Sequence, residues 1–137
     1  VVERPDWDTY WLGVARAVAA RGDCRRRQVG AVLVKGNRIR SAGYNGAPAG
    51  DRGCLAGACP RGLRSAEEVP HGSPYDDCIA VHAEANALLY ADGRQDTEGA
   101  TLYVTAKPCD DCRKLVRGAG IRRLVWVDGA LETSSTV

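Results

Sequence analysis

His82-Ala83-Glu84 and, further along, Lys107-Pro108-Cys109-Asp110-Asp111-Cys112 bring an imidazole, two thiols and a carboxylate together in two short runs. One imidazole nitrogen and two thiolates fill three corners of a tetrahedral Zn²⁺ site. The fourth corner stays open for a water whose pKa the metal lowers toward neutrality. His82, Cys109 and Cys112 are therefore the expected metal ligands. Glu84 remains unligated and is the expected proton carrier, which is the equipment of a hydrolytic deamination.

Spacing supports that division of labour. A Cys-x-x-Cys at the start of a helix lets both thiolates face one ion while the helix N-terminus stabilises their charge, and Pro108 fits just before that turn. His82 and Glu84 fall in the first turn of an apolar stretch, Ala83, Ala85, Ala87, Leu88 and Leu89. From there one side chain can ligate metal and the other can reach water or substrate. His-x-Glu followed by Pro-Cys-x-x-Cys is the established signature of zinc-dependent nucleobase deaminases. Either half alone says less: a Cys-x-x-Cys also serves redox pairs and structural zinc knuckles, and a lone His near a helix start is commonly just hydrogen-bonded. Neither of those readings uses Glu84.

The elements that position these residues follow from pattern. Asp6 can cap a helix whose expected buried face is Trp7, Tyr10, Trp11, Val14, Ala15 and Val18, with Gly22 as a stop. Val29–Val34 reads as a buried strand, Lys35–Arg38 as a turn, and Ile39–Tyr44 as the returning strand of an antiparallel hairpin. The His82 helix, a strand over Ala100–Thr105, the Cys109 helix ending near Gly118 or Gly120, and a strand over Ile121–Val127 alternate as parallel β-α-β units do. The fold class is α/β, with helices on both faces of a mixed sheet of four to five strands and ligands at strand ends. Between them, about residues 46–78 form an irregular insertion rich in Gly, Pro and charge, which should carry function or be pinned by something.

At 137 residues the chain is expected to be a single domain over 1–137, able to bury a core without disulfides. Its six cysteines then suggest reduced thiols and metal ligation. With no apolar run near membrane-spanning length and no signal-peptide pattern, a cytoplasmic protein without membrane contact is expected. A formal charge of +2 is too small to argue for nucleic acid, although Arg25-Arg26-Arg27 form a local basic cluster. The aromatics are three Trp and five Tyr with no Phe, and Trp7 and Trp11 read as helix core. The chain opens on Val1 and has no methionine, so the translational start is expected upstream.

Five segments together resemble the deoxycytidylate (dCMP) deaminase family of the cytidine deaminase superfamily. They are Arg4–Asp8, Cys24–Val32, Gly43-Tyr44-Asn45-Gly46-Ala47-Pro48, His82–Ala87, and Ala100–Thr105 with Pro108-Cys109. The resemblance covers about residues 4 to 127. It implies a three-layer αβα fold and conversion of dCMP to dUMP plus ammonia. It also implies homo-oligomers, often hexamers, and dCTP and dTTP as effectors in many members. Carried over by position, His82, Cys109 and Cys112 match the zinc ligands, Glu84 the proton shuttle, Asn45 a nucleotide contact and Arg26 a phosphate partner. A guanidinium suits a phosphate physically as well. Gly43, Tyr44 and Gly46 belong to the segment that lines the effector site in regulated members. Backbone around Ala83 and Pro108, with Thr105 at its strand end, would border the base.

Some members place a structural zinc beside the insertion, which implies a second site at Cys24, Cys54, His71 and Cys78, with Cys59 spare or substituting. Buried free cysteines or a Cys54–Cys59 disulfide are the alternatives. Two departures bear on substrate choice. Lys107 stands where members usually carry an uncharged residue, and the tail after Val127 is short where members continue into a substrate-contacting strand or helix. A deaminase of the same fold acting on another amino-heterocycle, or a nucleic-acid editing deaminase, are the competing readings.

Overall fold

The run from Gly30 to Val34 is apolar throughout because helices cover both faces of its strand. A computed structural model describes residues 2–75, 77–128 and 131–137, the last stretch without the side chains of residues 131–133. In it β1 (Gly30–Lys35) turns through Gly36 and Asn37, both at positive φ, into β2 (Arg38–Tyr44). Positive φ at both central residues gives the hairpin turn whose twist matches its strands. Pairing slips between Leu33 and Val34, so Arg40 bulges out and reaches Asp96 at 3.2 Å.

Three further strands, β3 (Thr101–Val104), β4 (Arg123–Asp128) and β5 (Leu131–Thr136), complete one sheet in the order β2-β1-β3-β4-β5. β1 runs antiparallel to both neighbours, β3 and β4 are parallel, and β5 is antiparallel to β4. β5 occupies the tail beyond Val127, where the sequence pattern predicts no strand. Its Leu-Glu-Thr-Ser-Ser-Thr is polar and has no apolar alternation to announce it, as suits a strand paired on one side only. Gly129 and Ala130 of that tail lie outside the described residues.

Alternation along the strands sorts side chains into two cores. Ala31, Leu33, Leu102, Val104, Leu124 and Trp126 meet α2 (Ala83–Leu89) and α4 (Asp110–Gly118). Val32, Val34, Tyr103 and Val125 meet α1 (Trp7–Ala19) on the other face. A single-turn α3 (Arg94–Thr97) precedes β3.

The face of α1 corrects the sequence reading. Asp6 caps the helix, accepting from the Thr9 amide at 2.8 Å, and Trp11 and Ala15 are buried as expected, but Trp7 is 52% and Tyr10 46% exposed, and Leu12 and Ala19 complete the buried face. Small residues decide this. A Cβ on Gly30 would overlap the Ala15 carbonyl, so α1 rests its alanine side directly on β1. Trp7 stacks outward on Trp11, ring centroids 6.1 Å apart.

The start of α1 is tied across the sheet. Asp8 receives both Arg123 terminal nitrogens, at 2.7 and 2.5 Å, and the Tyr103 hydroxyl at 2.7 Å. The Arg123 hydrogen bond holds the Asp8 carboxyl below its usual value of 3.8, and burial beside Asp8 pushes the Tyr103 phenol up.

Candidate active site

The two halves of the sequence signature meet at two helix starts, with His82 as N-cap of α2 and Cys109 as N-cap of α4. His82 Nδ1 lies 3.3 Å from Cys112 Sγ and 3.5 Å from Cys109 Sγ. The ligand atoms of the three residues all lie within 4.8 Å of one another. A tetrahedron with Zn–N near 2.05 Å and Zn–S near 2.3 Å has N···S edges of about 3.5 Å, so this donor set fits a zinc ion as it stands.

The sheet fixes α2 by several contacts. Gly46 and Val81 bridge through paired backbone bonds at 3.1 and 2.8 Å, which aims His82. Asn86 Nδ2 donates to the Tyr44 carbonyl at 2.8 Å, and the Ser41 hydroxyl donates to the Ala87 carbonyl. A Cβ on Gly43 would overlap the Ala87 nitrogen, so the α2 backbone sits directly on β2. On α4, Cys109 Sγ accepts from the Cys112 amide at 3.5 Å, and Arg113 lies 5.0 Å over the Trp126 ring.

Electrostatics call for a cation here. Glu84 is 4% exposed and Cys112 3%. Burial pushes the Cys112 thiol far up, and the neighbouring negative charges of Glu84 and Cys109 push it further. Potential anions packed together out of water repel one another, and a divalent ion between the imidazole and the thiolates compensates that.

The residues expected to hold substrate are placed unevenly. Asn45 is buried and already engaged: Oδ1 accepts from the Val29 amide and Nδ2 donates to the Arg27 carbonyl, both at 2.9 Å. It keeps one amide hydrogen and one lone pair. Arg26 donates from its two terminal nitrogens to the carbonyls of Arg61 (2.8 Å) and Arg64 (2.7 Å), so it braces the insertion and keeps three of its five N–H donors. Thr105 Oγ1 accepts from the Gly30 amide at 3.1 Å at the end of β3. Ala83 and Pro108 are buried. Lys107 is exposed, and among the described residues it has no ion-pair partner.

All six cysteines are free thiols. Cys24, Cys54, Cys59 and Cys78 form a group of their own, in which Cys59 and Cys24 each lie close enough to Cys54 and Cys78 to raise their thiols. His71 is not brought into it. It is exposed on the turn after Pro70, and Cys59, which is buried, stands with the other thiols where the sequence reading put that imidazole. Backbone amides converge on the sulfurs: Arg25 on Cys54 at 3.4 Å, Arg26 on Cys24 at 3.3 Å and Gly62 on Cys59 at 3.4 Å. Burial raises the Cys54 and Cys78 thiols. At Cys59 burial is outweighed by the amides of Ile79, Gly62 and Arg61, and that thiol is lowered.

Tyr75 and Arg61 lie against the site and were not read from the sequence. The Tyr75 ring stands edge to face with His82 at 5.1 Å, and Arg61 sits 4.7 Å over Tyr75. The available signal was that Tyr75 is the single Phe, Trp or Tyr between residues 46 and 78.

Residues 5–128 match the family described as the cytidine and deoxycytidylate deaminase zinc-binding region. The chain belongs to that family. Among relatives, the deoxycytidylate deaminase of Mycobacterium phage D29 is 56% identical over 129 residues, covering 91% of this chain and 97% of the phage protein. The deoxycytidylate deaminase of Schizosaccharomyces pombe is 42% identical over 123 residues, which is 90% of this chain but 37% of the yeast protein. The crystal structure of dCMP deaminase from cyanophage S-TIM5 in complex with dCMP and dUMP superposes with a TM-score of 0.68 at 25% identity, covering 91% of this chain and 83% of that one. The five-stranded sheet and flanking helices are thus those of the cytidine deaminase-like fold.

Proposed function

We propose that residues 1–137 act as one deaminase domain that converts dCMP to dUMP and ammonia. The observation that carries this reading is the buried Glu84 carboxylate beside the His82, Cys109 and Cys112 cluster, in a chain of this family. A zinc ion held by those three residues supplies the Lewis acidity that makes a water acidic near neutral pH. Glu84 moves the protons: its carboxylate accepts one from the attacking water, delivers it to N3 of the cytosine ring, and assists departure of the C4 amine. Burial keeps that carboxylate out of bulk water while it does so.

For the substrate, backbone around Ala83 and Pro108 and the Thr105 hydroxyl border the base, and the remaining amide hydrogen of Asn45 takes a sugar hydroxyl. Lys107, exposed and without an ion-pair partner among the described residues, is the cation assigned to the 5′-phosphate, with the remaining N–H donors of Arg26 as the second candidate. A second zinc would be held by Cys24, Cys54, Cys59 and Cys78, whose sulfurs must draw closer to bind it, since among the described residues only His82, Cys109 and Cys112 have ligand atoms all within 4.8 Å of one another. Its support is that thiols from separate segments neighbour one another, with backbone N–H groups directed at three of the sulfurs. Metal analysis should return near two zinc ions per chain, and one would overturn the second site.

The finer expectations join the same proposal. Leu89, Tyr90 and Leu115 are 71%, 67% and 51% exposed, an apolar strip that suits a homo-oligomer. A cavity of about 450 Å³ bordered by Gly43, Tyr44, Gly46, Pro48 and Asn86 contains none of the three metal-site residues and is a place for dCTP or dTTP. No helix among the described residues is long and apolar enough to cross a membrane. Ammonia release from dCMP, CMP, deoxycytidine, cytosine and dCTP, with dCTP and dTTP also added as effectors, tests the reading. Turnover confined to dCMP is expected. Silence of zinc-loaded protein on the whole panel would favour another amino-heterocycle, a reading that the engaged Arg26 keeps open.

A further inference from the structure

We propose that Tyr75, clamped by Arg61, is a positioning residue that holds the His82 imidazole in its ligating orientation. The inference rests on the zinc-site reading above. Nδ1 of His82 faces the two thiols, at 3.3 and 3.5 Å. A ligating histidine ordinarily donates its other ring N–H to a carboxylate or carbonyl, which fixes the plane of the ring. Among the described residues Nε2 of His82 has no such partner. The Tyr75 ring packs against the imidazole instead, centroids 5.1 Å apart and planes at 80°, the edge-to-face arrangement that aromatic quadrupoles favour.

Tyr75 lies in a stretch with no helix or strand, so something must hold it. Arg61, 9% exposed, donates from Nε to the Pro74 carbonyl at 3.3 Å and from Nη2 to the Ser73 carbonyl at 3.4 Å. The same guanidinium covers the Tyr75 ring at 4.7 Å. Three contacts thus fix residues 73–75 to one cation. Arg61 is fixed in turn, because its carbonyl accepts from Arg26 at 2.8 Å and its amide is directed at the Cys59 sulfur. A continuous path of contacts runs from the four-cysteine group through Arg61 and Tyr75 to a metal ligand. Through that path the insertion sets the orientation of a metal ligand.

The test compares Tyr75→Ala, Tyr75→Leu and Tyr75→Phe in the zinc-loaded protein. Two quantities are read: zinc loss to a chromogenic chelator, and kcat and KM for dCMP. Tyr75→Ala and Tyr75→Leu should release the active-site zinc about 10-fold more readily and lower kcat by a similar factor, with KM little changed. Tyr75→Phe should restore both, because the ring and not the hydroxyl makes the contact. A rise in KM alone, with zinc release unchanged, would make Tyr75 a substrate contact and overturn the proposal. Unchanged behaviour of all three variants would make it a passive cover and overturn it equally. Zinc release needs no substrate, so the proposal is read even if dCMP proves to be the wrong compound, and circular dichroism of the Leu and Phe variants separates positioning from misfolding.

Discussion

The two cysteine-bearing regions of this chain are held in opposite ways. His82, Cys109 and Cys112 sit at the starts of two helices that lie on a sheet, so regular backbone and a buried core aim them. Cys24, Cys54, Cys59 and Cys78 sit in segments with no helix or strand, where the local order comes from side-chain bonds such as those of Arg26 and Arg61 and from amides directed at sulfur. A site of the first kind should survive loss of its metal with its frame intact. One of the second kind should lose its frame with its metal.

Cys112→Ser breaks the comparison most severely on the catalytic side. It should abolish deamination and active-site zinc retention while leaving the thermal midpoint within a few degrees of wild type, which differential scanning calorimetry and metal analysis can read together. Cys59→Ser tests the other region. It should cost about 2–4 kcal/mol, lowering Tm by about 10 °C, and should make the 46–78 segment sensitive to limited proteolysis. Equal thermal losses in the two variants would remove the distinction.

A smaller effect is expected away from both metals. Asp8→Asn removes the charge from a carboxylate bonded by Arg123 and Tyr103 and should cost about 1–3 kcal/mol in urea unfolding. The sign of its pH dependence follows from the lowered pKa of Asp8. The unfolded chain takes up that proton first, so the stabilisation is complete above the ordinary carboxylate value and is lost as pH falls through the lower, folded-state value. The gap between wild type and D8N should therefore close in acid. Lys107→Ala should change least: KM for dCMP rising about 10-fold, as for one exposed charge-assisted contact, with kcat nearly constant. No change in KM would release Lys107 from the phosphate role.

What could be read from the sequence follows the same division. His82, Glu84, Cys109 and Cys112 were legible because their geometry is local: each pair lies within one helical turn, and only the approach of two helix starts had to be supplied by the fold. The four-cysteine group was only partly legible. Its members come from separate irregular stretches, and spacing alone leaves His71 and Cys59 as competitors until the backbone brings Cys59 inward. The face of α1 was misread for a related reason. Large aromatics look like core in a helical pattern, but Gly30 and Ala15 allow a close approach that turns Trp7 and Tyr10 outward. Asn45 and Arg26 show that a residue type suited to a ligand can spend part of its hydrogen-bonding capacity on its own chain. Tyr75 could not be assigned a place, because nothing local says which way an irregular segment folds back.

The most direct test measures zinc content and dCMP turnover on the same samples of wild type and Glu84→Gln. The expected result is undiminished zinc with kcat reduced by about 10³-fold or more, as befits loss of the proton carrier from an intact metal site. Substantial turnover by E84Q with its zinc in place would contradict the assignment of Glu84 and the mechanism built on it.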